Sequence, residues 1–102
     1  MEIKLSKPLL RDGQTVETLK LDMNELKGAD LVQAEREARL RGDISTDPLF
    51  SSEGLSIVAA KVSGVLPEDI QQLAAPDFLM VMNTVKNFLY GWVLPTNSPS
   101  ET

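Results

Sequence analysis

The chain has 102 residues, of which fifteen are acidic, ten are basic and none is Cys or His, giving a net charge of −5. This length and its 42% hydrophobic and 25% charged residues indicate one folded domain with a modest core. The composition excludes disulfides, thiolate metal sites, a cysteine nucleophile and the usual general base, and its acidity argues against a nucleic-acid backbone as the main partner.

Alternation of apolar and polar residues predicts a β-hairpin at the start. Ile3 and Leu5 alternate with Glu2, Lys4 and Ser6, and Leu19, Leu21 and Met23 alternate with Lys20 and Asp22. Asp12-Gly13 marks the turn. A two-residue loop there would set Leu5 opposite Lys20, with apolar residues on opposite faces. A three-residue loop, Arg11-Asp12-Gly13, pairs Leu5 with Leu19, Ile3 with Leu21 and Lys7 with Glu17, and is the register expected. Pro8 cannot donate to a ladder and suits an edge or an irregular spot.

Four helices are expected to follow, making an α+β fold: the hairpin and then a small helical bundle. The first, over 29–41, shows Leu31, Ala34 and Ala38 inward, with Glu35–Arg39 and Glu37–Arg41 pairs outside and Gly42 as its stop. Residues 43–52 read as a mobile linker carrying Pro48 and the apolar pair Leu49-Phe50. A second helix, 53–63, turns Leu55, Val58, Ala59 and Val62 to one face and ends at Gly64. Pro67 opens a short third helix with Ile70 and Leu73 inward, and Pro76 opens the last. There Phe78, Val81, Met82, Val85, Phe88, Leu89 and Trp92 form the strongest periodic stripe, the expected spine of the core. The domain is expected over 1–94, with 95–102 a small, polar, disordered tail.

No catalytic constellation emerges, and the chain reads as a non-enzyme without cofactor or metal. Glu68 and Asp69 are adjacent, so on a helix they point in different directions, and their place after Pro67 is explained by helix initiation. Lys27-Gly28 lacks the rest of a phosphate-binding loop, and no loop has the acidic spacing of a calcium site. Neither a secretory leader nor a bilayer-length apolar run is present, which favours the cytoplasm and no membrane partner. On the last helix, Leu79, Met80 and Tyr90 lie off the main stripe. Either other helices surround it there, or it exposes an apolar patch to a partner. With Leu49 and Phe50 in the linker, these five are the candidate partner-binding residues. A two-faced apolar helix in so small a domain also favours a homo-oligomer.

The order of these pieces resembles a phage tail assembly chaperone family of contractile-tailed phages and prophages. Ile3-Lys4-Leu5-Ser6-Lys7-Pro8 is similar to that family's opening strand, and Asp12-Gly13 with 16–21 to its second. Gly28-Ala29-Asp30-Leu31 leading to Ala34-Glu35 resembles its Gly-x-Asp-Leu helix start. Ala59-Ala60-Lys61 with Ser63-Gly64-Val65 and Pro67 resembles its middle helix, and Ala75-Pro76-Asp77-Phe78 with Val85 and Asn87-Phe88-Leu89 its last. The likeness runs over 2–92, while 43–52 match no firm pattern. It implies a non-catalytic protein that keeps the tape measure protein soluble, recruits tail tube subunits to it and is absent from the finished virion. A minor structural tail protein, or a small regulatory binding protein such as an antitoxin, are the alternatives.

Overall fold

A computed structural model describes residues 1–93, with the side chain of residue 93 left aside; the tail expected over 95–102 lies outside the described residues. Two strands, β1 (Glu2–Arg11) and β2 (Gln14–Lys20), form an antiparallel hairpin. Four helices follow: α1 (Gly28–Leu40), α2 (Ser52–Ser63), α3 (Pro67–Gln71) and α4 (Ala75–Val93). Short 3-10 turns lie at Met23–Glu25 and Pro48–Phe50. The α+β architecture expected from the change of hydrophobic period is the one observed.

The hairpin corrects the expected register. Arg11 pairs with Gln14, so the loop is the two-residue Asp12-Gly13 turn, not a three-residue one. Both turn residues have positive φ, 53° and 76°, the geometry whose twist matches a hairpin and which Asp-Gly favours. Leu9 pairs with Val16, but Lys4 pairs with Thr18 and Ile3 with Leu19. Residues 5–8 therefore bulge out opposite Glu17 alone, and Pro8 falls in this irregular stretch. The shift is odd in residue number, so it reverses the facing that the turn would otherwise impose. Ile3, Leu5, Leu9 and Leu19 all end up buried.

The bulge has a partner 71 residues away. Asp77, in the first turn of α4, accepts hydrogen bonds from the backbone N–H of Ser6 at 3.0 Å to each oxygen, from Ser6 Oγ at 3.1 Å and from the backbone N–H of Lys7 at 3.3 Å. Strand amides freed by the bulge are thus paired rather than left bare. These backbone donors, Ser6 first, hold the Asp77 carboxyl below its usual range against a smaller opposing effect of burial.

Local contacts start the first three helices and stop α1. The Asp30 carboxylate accepts from the Lys27 N–H at 2.8 Å, and Asp69 from the Leu66 N–H at 2.9 Å, satisfying donors at the starts of α1 and α3. Ser51 Oγ accepts from the Gly54 N–H at 3.1 Å to cap α2. At the end of α1 the N–H of Asp43 reaches the carbonyl of Ala38 across Gly42, whose φ is 100°.

The centre of the molecule is α2 rather than α4. Residues 54–60 and Val62 are all buried, because α2 packs against α1, α3, α4, β2 and the Pro48–Phe50 turn. Its one polar core side chain, Ser56, donates to the carbonyl of Ser52 at 2.7 Å. The buried stripe of α4 is Val81, Met82, Val85 and Leu89, whereas Phe78 and Phe88 are half-buried. Trp92, expected inward, is 51% exposed and packs edge-on to Phe88 with ring centroids 5.5 Å apart.

Candidate functional site

Along α4, residues 79, 83, 86 and 90 fall on one line at 100° per residue, away from the buried stripe. The Pro48–Phe50 turn and the start of α2 rise beside that line. Between them runs an open groove of about 260 Å³, lined by the apolar Phe50, Leu55, Leu79 and Met82 and by the polar Ser52, Asn83 and Lys86. Tyr90, outside the lining, stacks on Phe50, the ring centroids 4.7 Å apart and the planes 12° from parallel.

Phe50 is therefore the link among the five candidate residues: it shares the groove lining with Leu79 and stacks on Tyr90, which lies three turns of α4 beyond Leu79. Leu79 is 64% exposed and faces the groove. Met80 is 56% exposed but lies a further 100° around α4, outside the groove lining. Leu49 is half-buried against the core. The segment read as a linker holds a docked turn: Pro48 is buried, and Gly54 approaches so closely that a Cβ there would stand 1.9 Å from the Pro48 carbonyl oxygen. Sequence reasoning missed this contact, since a glycine inside a helix signals only reduced propensity until its neighbour is known.

Several charged residues pair within the fold. Arg11 Nε meets Asp69 at 2.8 Å, and Arg41 reaches Glu37 at 3.1 Å and Glu68 at 3.0 Å. Glu68 and Asp69 thus have separate partners, as their adjacency on a helix requires. The backbone N–H of Leu66, then Arg11, holds the Asp69 carboxyl below its usual range. The Glu37–Arg41 pair forms as expected, whereas Glu35 and Arg39 form no ion pair among the described residues. No cluster among the described residues can hold a metal ion, and no described helix is long and apolar enough to cross a membrane.

Two further depressions, of about 300 and 400 Å³, lie along α1 and α2 and share Asp30 and Lys61. The Lys61 ammonium bridges to Asp30 at 3.3 Å between them. Nothing in the sequence pattern singled out this region, because its lining comes from three separate stretches of chain, 22–26, 30–37 and 57–67.

Comparison with known protein families gives a match. The model of the family described as phage tail assembly chaperone proteins, E, or 41 or 14, matches residues 2–90, nearly the whole chain, from β1 into α4. No curated protein and no solved structure matches.

Proposed function

From the premise that this chain belongs to the phage tail assembly chaperone family, we propose that it binds and solubilises the tape measure protein and helps recruit tail tube subunits to it. The family places the protein in tail assembly and suggests a role without catalysis. The partners, the binding residues and the place of action are our reading. We take the protein to act in the host bacterial cytoplasm, as a homo-oligomer when it coats a long partner, and to be absent from the mature virion.

The observation that carries this reading is the groove at Phe50 and Leu79, with Tyr90 stacked behind Phe50. A groove that combines the apolar side chains Phe50, Leu55, Leu79 and Met82 with the polar Ser52, Asn83 and Lys86 suits an amphipathic helix, whose apolar stripe can meet the first set and whose polar flank the second. Leu79 and Met80 stay in water in the isolated chain, so covering them gains contact without first breaking a core. The neighbouring Met82, at the groove wall, is an adaptable side chain suited to varied partner sequences along a long helical protein.

Co-expression with the cognate tape measure protein tests the proposal. Soluble tape measure protein in complex with many copies of this chain is the expected result. Leu79→Ala and Met80→Ala should weaken the complex by about 1–3 kcal/mol if they are central to it and leave the melting temperature unchanged. Phe50→Ala and Tyr90→Ala also break the ring stack, and so should lower stability by about 0.5–1.5 kcal/mol beyond lost area. Insoluble tape measure protein together with this chain in purified tails would refute the reading in favour of a structural tail protein.

A further inference from the structure

We propose that the two depressions along α1 and α2 form a second docking trough, and that its occupant is an amphipathic helix carrying lysine or arginine beside its apolar stripe. The inference deepens the chaperone reading by giving the chemistry of a partner segment, but it stands on a different face of the molecule from the Phe50 groove.

The trough's shape comes from small residues. Ala34 on α1 and Ala60 on α2 floor the first depression, where larger side chains would fill it. The apolar lining continues past Lys61 to Leu26 and Val62 in the second. Leu66, 58% exposed, stands at one end with half-buried Val65 beside it. Only the Lys61–Asp30 bridge crosses between the depressions, and Lys61 is a long side chain at the surface that can swing aside.

The charge on the walls selects the occupant. Asp22, Glu25, Asp30 and Glu37 line the two depressions, against Lys61 as the only basic residue in either lining. Arg41 meets Glu37, and Lys61 meets Asp30, with the Lys27 charge also acting on Asp30. Asp22 and Glu25 have no ion partner among the described residues. The uncompensated charge is therefore negative and gathered at the Leu26 end. A basic helix gains there what an acidic one loses. The Phe50 groove carries the opposite sign, with Lys86 in its lining, so the two surfaces should sort partner segments by charge.

The test uses the full chain, labelled for amide NMR, and two synthetic amphipathic helices of equal length: one of leucine and lysine, one of leucine and glutamate. At about 0.15 M salt, where charges more than about 8 Å apart are screened, the leucine–lysine helix should shift the amides of Glu25, Ala34, Lys61 and Leu66. The leucine–glutamate helix should not. Asp22→Asn with Glu25→Gln should weaken the first helix at least fivefold, and Leu66→Ser should do so through the apolar contact, with unchanged melts for both. Three outcomes would overturn the trough: shifts spread over all acidic surfaces, shifts centred on Phe50 and Leu79, or equal affinity after Asp22→Asn with Glu25→Gln. If that double variant still solubilises the tape measure protein as well as the unaltered chain, the trough falls while the chaperone reading survives. An insoluble tape measure protein with the unaltered chain defeats that reading alone, and the peptide titration stands separately.

Discussion

Gly54→Ala puts the close approach of α2 to the Pro48–Phe50 turn to the test. In most helix interiors this change stabilises, by about 0.5–1 kcal/mol, because alanine gives up less backbone freedom than glycine. Here the new Cβ would lie 1.9 Å from the Pro48 carbonyl oxygen and 2.7 Å from that of Leu49. Both are backbone atoms, so no rotamer change relieves the clash. To reach 3.4 Å, where ordinary contact begins, the turn must retreat by roughly 1.5 Å, which lifts buried Pro48 and half-buried Leu49 off the helices. Overpacking of this kind costs about 1–3 kcal/mol, occasionally more, which exceeds the helix-propensity gain. With roughly 4–8 °C lost per kcal/mol in a domain of this size, the melting temperature should fall by about 5–15 °C. Gly91→Ala is the control, since the same change in α4 meets nothing within 4 Å. It should leave the melting temperature level or raise it by a few degrees. Thermal melts of the two variants, followed by far-UV circular dichroism, decide the matter. Equal upward shifts would show that the turn does not sit against α2, and the Phe50 wall of the groove would go with it.

Leu89→Ala, at a position 3% exposed, should cost about 2–5 kcal/mol, whereas Trp92→Ala should cost much less because half of that side chain is already in water; urea titration of both separates core from surface on α4. The half-buried Phe88 should fall between them, short of the value for full burial. The lowered Asp77 carboxyl predicts acid sensitivity of a definite sign. Its stabilising effect is fully present above the unfolded-state value near 3.8 and is lost as pH falls through the lower folded-state value. Asp77→Asn should therefore lower stability at neutral pH and make the acid limb of a pH–melting curve shallower, which melts between pH 2 and 7 would show. Removing 96–102 should leave the melting temperature unchanged, since that stretch contains no large apolar residue.

What could be read from the sequence was whatever rests on neighbours in the chain. Asp12-Gly13 marks its turn, Gly42 and Gly64 stop α1 and α2, and Pro67 and Asp30 sit where helices begin. The hairpin register could not be read, because the bulge at 5–8 is paired to Asp77, and a preference for in-register apolar pairs led to the wrong loop length. The burial of α2 on all sides was equally hidden. Its pattern shows an apolar face, but Gly54, Ser56 and Ala60 are covered only because several elements converge there. The binding candidates divide by the same rule. Leu79 and Met80 could be placed off the stripe of α4 by counting residues. That Phe50 would stack on Tyr90 could not, since forty residues separate them and no local pattern links a turn to the far end of a helix.

The clasp of Asp77 on Ser6 and Lys7 also sets an order of events during synthesis. The tip of the hairpin, from Leu9 to Val16, closes through a turn of two residues and needs nothing from downstream. The base of the same hairpin needs a carboxylate that the ribosome adds about 70 residues later. A nascent chain ending before α4 thus leaves the bulged strand with bare amides beside exposed Ile3 and Leu5, an adhesive edge in a crowded cell. The last helix is then more than a wall of the groove: its arrival closes the first strand, so the hairpin is finished only after α4 has begun to emerge.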